Sequence, residues 1–166
     1  MGVEIEVKFL VDPKYLTVIS NKAMSVISIT QGYLFEDGDV RVRIKTEDGV
    51  KKSYLTIKGN REGDTRDEFE YEIPNKDGIE MIDKFSKHVI FKTRYKLKYK
   101  KDIWEIDVFH GDNDGLIIGE VETPKLDYDV MQPPWIDKWD VVTDDVKYYN
   151  SYIARNPYKN WSKNNE

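Results

Sequence analysis

The chain has 166 residues, 39% hydrophobic and 13% aromatic, which suits a single globular domain over residues 1–166 with a sizeable core. Its 26 basic and 31 acidic residues leave a net charge of −5, so no one-signed field marks a nucleic-acid binder. With no cysteine and only His88 and His110, a disulfide framework and a thiolate zinc site are excluded, and chemistry is left to carboxylates, lysine and arginine. The start lacks the apolar run of a signal peptide or membrane span, so the expectation is a cytoplasmic protein with no membrane partner.

In chain order, strand-length alternation predicts strands near 2–10, 27–35, 39–46, 52–59, 67–74, 91–100, 102–110 and 116–124. Turns are expected at Glu36-Asp37-Gly38-Asp39, Glu47-Asp48-Gly49 and Gly111-Asp112-Asn113-Asp114-Gly115. Helices are expected at about 13–24, where Asp12 caps and Pro13 takes the first turn, at about 77–87, and at about 144–155 after Thr143. Segment 125–140, with Pro133, Pro134, Trp135 and Trp139, reads as a loop packed by its aromatics.

The strands have an unusual polarity. In Glu4-Ile5-Glu6-Val7-Lys8 apolar residues separate three charges, so an extended strand puts all three on one face. Val40-Arg41-Val42-Arg43-Ile44-Lys45 alternates three cations with branched apolar residues, and Glu68-Phe69-Glu70-Tyr71-Glu72-Ile73 does so with carboxylates. Lys92 and Arg94, Glu105 and Asp107, and Glu120 and Glu122 repeat the pattern. A half-buried sheet ordinarily turns assorted small polar residues to water; here that face is almost purely ionic. Enclosed charges cost several kcal/mol each without partners, so the expectation is a strongly curved sheet with a wet, charged bore and the helices packed outside.

These residues resemble the CYTH superfamily of triphosphate tunnel metalloenzymes, especially the small bacterial inorganic triphosphatases. Glu4-x-Glu6-x-Lys8 is similar to the ExExK signature, Gln31-Gly32-Tyr33-Leu34 to the second-strand QGYL, and Arg41-x-Arg43 to the paired arginines that follow. Lys58, Arg66-x-Glu68-x-Glu70, Lys92-Thr93-Arg94-Tyr95, Glu105-x-Asp107-x-Phe109, Glu120-x-Glu122, Val142-Thr143-Asp144-Asp145 and Lys147-Tyr148-x-Asn150 keep the family order. Val7 replaces an arginine that many relatives carry, but alternation points it away from the charged face.

The resemblance implies a mainly β (α+β) fold, a closed eight-stranded antiparallel β-barrel open at both ends. Its tunnel would bind a linear triphosphate with Mg²⁺ or Mn²⁺, two ions per site. One metal would lie on Glu4, Glu6 and Glu122 with Glu120 close by, and a second near Glu68 or Glu70. The implied phosphate clamps are Lys8, Arg41, Arg43, Lys58, Lys92 and Arg94, with Lys147 reaching in from the C-terminal helix and Arg66 positioning the clamp. Lys92 and Arg94 would stabilise developing charge, and Glu68 and Glu70 would serve the attacking water through the second metal. Glu72, Glu105 and Asp107 stay open between ligating metal and balancing cations, and Tyr33 reads as packing or wall.

The implied activity is hydrolysis of inorganic triphosphate to pyrophosphate and phosphate. The alternatives are hydrolysis of thiamine or nucleoside triphosphate, adenylate cyclisation, and a non-catalytic polyphosphate- or nucleotide-binding module. The complete carboxylate set favours an enzyme; the partner expected is a small-molecule triphosphate, not a nucleic acid, and the chain is expected to be a monomer or homodimer.

Overall fold

A computed structural model describes residues 5–35, 40–62, 65–125 and 127–161, with the backbone alone at 60–62, 65 and 66. Glu4 and the turn expected at 36–39 lie outside the described residues, as does the side chain of Arg66. Eight strands form: β1 (Ile5–Leu10), β2 (Ser25–Leu34), β3 (Val40–Glu47), β4 (Val50–Glu62), β5 (Thr65–Ile73), β6 (Ser86–Tyr99), β7 (Asp102–Phe109) and β8 (Ile117–Thr123). The helices are α1 (Leu16–Lys22), α2 (Asn75–Phe85) and α3 (Asn150–Arg155).

Local chemistry sets several boundaries. The Asp12 carboxylate accepts a bond from the Lys14 N–H at 2.9 Å, and Pro13 opens a 3₁₀ turn that runs into α1. Glu47 pairs with Val50, so the β3–β4 loop is two residues long. Asp48 and Gly49 both have positive φ, 49° and 77°, as a type I′ hairpin requires.

All eight strands join one antiparallel sheet in the order β1-β8-β7-β6-β2-β3-β4-β5. The expected closed barrel does not form: β1 and β5 stand at opposite ends of that order and do not pair among the described residues. The outer edge of β1 is already used. Leu10 N–H donates to the Asp140 carbonyl (3.1 Å), Val142 N–H to the Lys8 carbonyl (2.8 Å), and Lys8 N–H to Thr143 Oγ1 (3.0 Å). Backbone groups satisfied in this way are no longer free for a closing ladder, and the result is an open sheet with an edge strap at 140–143.

One face of the sheet is apolar. Phe9, Leu97, Trp104, Ile106 and Val121 are buried there with Ile19 of α1 and with Trp135 and Ile136 of the 125–140 segment. Phe9 also stacks against Trp139 with ring centroids 4.4 Å apart, so that loop is packed by its aromatics as the sequence suggests. Toward one end of the opposite face, Tyr33, Ile90, Phe109 and Ile118 form a second cluster covered by Ile153 and Ala154 of α3. Among the described residues no helix is long and apolar enough to cross a membrane.

Helix α2 lies against β2, β3 and β4, and Gly78 is its closest approach. A Cβ at Gly78 would stand 2.8 Å from both Cβ and Oγ of the fully buried Ser53. Alanine ordinarily improves a helix interior by about 1 kcal/mol over glycine, but overpacking costs about 1–3 kcal/mol. Gly78→Ala is therefore expected to lower the denaturant midpoint, and a more stable variant would contradict this packing.

Candidate active site

The register gathers the charges onto the second face. In antiparallel pairs, directly opposed residues share a face. Glu6 opposes Glu122 and Lys8 opposes Glu120 across β1–β8, Glu120 opposes Glu105 across β7–β8, and Asp107 opposes Arg94 across β6–β7. Beyond β2, Gln31 opposes Arg43, Tyr33 opposes Arg41, Thr56 faces both Arg41 and Glu70, and Lys58 opposes Glu68. Cations on β3 and β6 thus occupy the middle of the sheet, with carboxylates toward both sides.

The densest cluster surrounds Asp107, whose side chain is 1% exposed. Arg94 grips it with two bonds, Nε to Oδ1 at 2.7 Å and Nη2 to Oδ2 at 2.8 Å, and Lys92 Nζ donates to Oδ2 at 2.6 Å. Arg94 also reaches Glu105 at 2.6 Å and Glu120 at 3.4 Å. Burial opposes ionisation of Asp107, yet Arg94 and Lys92 outweigh it and hold the carboxyl well below the usual aspartate range. For Lys92 burial wins over Asp107, with Arg94 and Arg43 adding repulsion, and its pKa falls to about 8.

Lys8 stands between two carboxylates, 2.6 Å from Glu6 Oε1 and 2.8 Å from Glu120 Oε1. Burial lowers its pKa, but Glu120 and Glu6 more than compensate, so the ammonium stays charged above its ordinary range. The donors Glu6, Glu120 and Glu122 are hard carboxylate oxygens on one face, and that chemistry fits Mg²⁺ or Mn²⁺. Among the described residues no three carboxylate or imidazole groups already converge at metal-holding distance.

On the other side of the face the cations are less fully matched. Arg43 donates through Nε to Gln31 Oε1 at 2.7 Å and has no carboxylate within ion-pair distance among the described residues. Burial, with Arg41 and Arg94 nearby, pushes its pKa down to about 10. Arg41 Nη2 lies 3.3 Å from Thr56 Oγ1 and 3.7 Å from Glu70 Oε2, while its buried Nε finds no acceptor among the described residues. Thr56 Oγ1 donates to Glu70 at 3.0 Å, and Lys58 pairs with Glu68 at 2.7 Å. A buried guanidinium N–H left over in this way, as at Arg41 Nε, suits a phosphate oxygen.

Not every candidate joins this array. Lys147 sits on a 3₁₀ turn before α3, 3.5 Å from Asp145 and over the rings of Tyr148 and Trp161. Glu72 meets Lys52 at 3.5 Å with both side chains mostly exposed. Three residues that sequence reasoning gave no role belong to the array. Gln31, fully buried, links Arg43 to the Tyr33 hydroxyl; Thr56 links Arg41 to Glu70; and Asn150 Oδ1 accepts from Lys92 Nζ at 3.0 Å. Strand alternation could have placed Gln31 and Thr56 on the ionic face; Asn150 is marked only by the Lys147-Tyr148-x-Asn150 match, which assigns it no role.

Comparisons with known proteins point the same way. The profile of the CYTH domain family matches residues 2–152. The inorganic triphosphatase of Acetivibrio thermocellus is 39% identical over 164 residues, covering 98% of this chain and 100% of the relative. The crystal structure of the inorganic triphosphatase NE1496 superposes with a TM-score of 0.63 at 29% identity, over 91% of this chain and 97% of that one. PH1819 from Pyrococcus horikoshii, at 22% identity, shares the fold with a TM-score of 0.57 over 75% of this chain and 80% of that one.

Proposed function

The chain belongs to the CYTH domain family, and from that premise we propose that it is a metal-dependent triphosphatase that cleaves inorganic triphosphate to pyrophosphate and phosphate. The observation that carries this reading is the strip of Arg41, Arg43, Lys92 and Arg94, with Lys92 buried and the arginines partly buried, flanked by carboxylates on both sides. Arg43, with no carboxylate within ion-pair distance among the described residues, and the Arg41 Nε left without an acceptor there match a polyanion. Carboxylates beside them match the divalent cation that such a polyanion carries. The relative from Acetivibrio thermocellus, alike over its whole length, supports the choice of the inorganic substrate.

Arg41, Arg43 and Lys58 would hold the phosphate chain. Lys92 and Arg94 would meet the transferred phosphoryl group, where charge develops. Lys8 would leave Glu6 and Glu120 for a phosphate oxygen. Glu6, Glu120 and Glu122, with Glu4 two residues before Glu6 in the sequence, would hold one cation, and Glu68 and Glu70 a second. When bound, divalent metal neutralises phosphate charge and lowers the pKa of water. The carboxylates of β5 would orient the attacking water, and no covalent nucleophile is needed.

Phosphate release from tripolyphosphate, ATP and thiamine triphosphate, each with Mg²⁺, Mn²⁺ or chelator, tests the reading. Tripolyphosphate should turn over fastest, and chelator should abolish turnover. Faster cleavage of either organic substrate would move the substrate assignment, and no cleavage of any with metal would end the enzyme assignment.

A further inference from the structure

We propose that Asn150 is a positioning residue for Lys92, fixing the ammonium so that one N–H remains for the substrate. The inference rests on the triphosphatase reading above for its functional meaning, and on geometry for the contact itself. Lys92 is fully buried, and its Nζ has three N–H donors. One goes to Asp107 Oδ2 at 2.6 Å and one to Asn150 Oδ1 at 3.0 Å. The third has no acceptor among the described residues, and the Phe109 ring centroid lies 5.5 Å from Nζ.

Two acceptors on separate elements define both where the ammonium sits and how it is turned. Asp107 cannot do this alone, because Arg94 shares its carboxylate through two bonds. Asn150 opens α3, and α3 is anchored by Ile153 and Ala154 against Tyr33, Ile90, Phe109 and Ile118. The C-terminal helix therefore brings a fixed acceptor to a group on β6.

An amide oxygen also adds no charge, which matters for a lysine that must stay protonated without being locked to its partners. The charged groups around Lys92 are Asp107 from β7, Arg94 from β6, Arg43 from β3 and Glu120 from β8. On β2 the residue directly opposite is the apolar Ile29. A carboxylate at position 150 would join Asp107 in holding the proton, and an aliphatic side chain would withdraw the neutral acceptor that Asn150 supplies.

The test compares wild type with Asn150→Leu and the near-isosteric Asn150→Asp. The Lys92 ammonium is followed by NMR across pH, independently of activity, alongside kcat and KM for tripolyphosphate with Mg²⁺. The expected result is a lower Lys92 midpoint in Asn150→Leu and a higher one in Asn150→Asp. In Asn150→Leu kcat should fall on the order of tenfold with KM within about twofold, as for a misplaced catalytic group. Asn150→Asp should recover kcat and carry it to higher pH. Midpoints that stay at the wild-type value in both variants, or midpoints that move the same way, would overturn the proposal. Opposite shifts in a protein that cleaves no triphosphate would support the Asn150–Lys92 contact while sinking the reaction assigned to the site.

Discussion

Lys92→Met should lower kcat for tripolyphosphate hydrolysis by about 10²–10³-fold, the usual loss when one preorganised donor to developing charge is removed. The side chain is fully buried beside Asp107, in a place where water cannot substitute for the missing ammonium. Methionine fills similar space, and Asp107 keeps both of its bonds to Arg94, so the fold should survive. KM should change far less than kcat, because the proposed phosphate clamps Arg41, Arg43 and Lys58 are left in place. The wild-type pH profile supplies a second reading of the same group. Burial lowers the pKa of Lys92 to about 8 in the free protein. Since kcat/KM reports the free enzyme and the protonated amine is the active form, kcat/KM should decline as pH rises through that value. A Lys92→Met enzyme with wild-type kcat would remove Lys92 from the chemistry.

Asp107→Asn should destabilise the protein by about 3–5 kcal/mol, measured by urea denaturation at neutral pH, because it leaves the fully buried Lys92 ammonium without its counter-charge and weakens the grip on Arg94, which keeps Glu105 and Glu120. Three bonds converge on this carboxylate, and none is at the surface. The pH dependence follows from the direction of its shift. The folded-state pKa lies below the unfolded value, so the stabilisation is complete above about pH 4, near the ordinary aspartate pKa. It is lost progressively as pH falls from there toward the depressed folded value. The gap between wild type and Asp107→Asn should therefore be widest at neutral pH and narrow in acid. A gap that does not change with pH would show that lost packing, and not lost charge, is responsible.

Most of the sheet was readable because its signal is local and repeated. A period of two puts Glu6 with Lys8, Arg41 with Arg43, and Glu68 with Glu70 on one side in any extended chain, and the strands then bring those sides together in a single register. Closure of the sheet was not readable in that way. It depends on which groups meet the outer edge of β1, and the strap at 140–143 takes them mainly through backbone carbonyl and amide bonds that leave no mark in residue type, with Thr143 Oγ1 the one side-chain contribution among the described residues. Helix extents were only partly legible for a similar reason. The helix expected at 144–155 is broken because Tyr149 is extended, with φ −77° and ψ 138°, leaving Asn150 to start α3. That break places Asn150 beside Lys92, 58 residues away in sequence, a distance over which neither periodicity nor capping carries information. Asp107 shows the opposite case: alternation put it on the right face, while the choice between metal ligand and counter-ion needed the geometry of Arg94 and Lys92 around it.

The proposed function requires the ionic face of the open sheet to cleave a metal-bound linear triphosphate. Phosphorus NMR of tripolyphosphate incubated with the protein and Mg²⁺ tests it most directly. The prediction is loss of the tripolyphosphate resonances with equimolar appearance of pyrophosphate and phosphate, arrested by chelator and slowed by Lys92→Met. Tripolyphosphate that persists unchanged with protein and metal present, or that disappears equally fast with chelator, would contradict it.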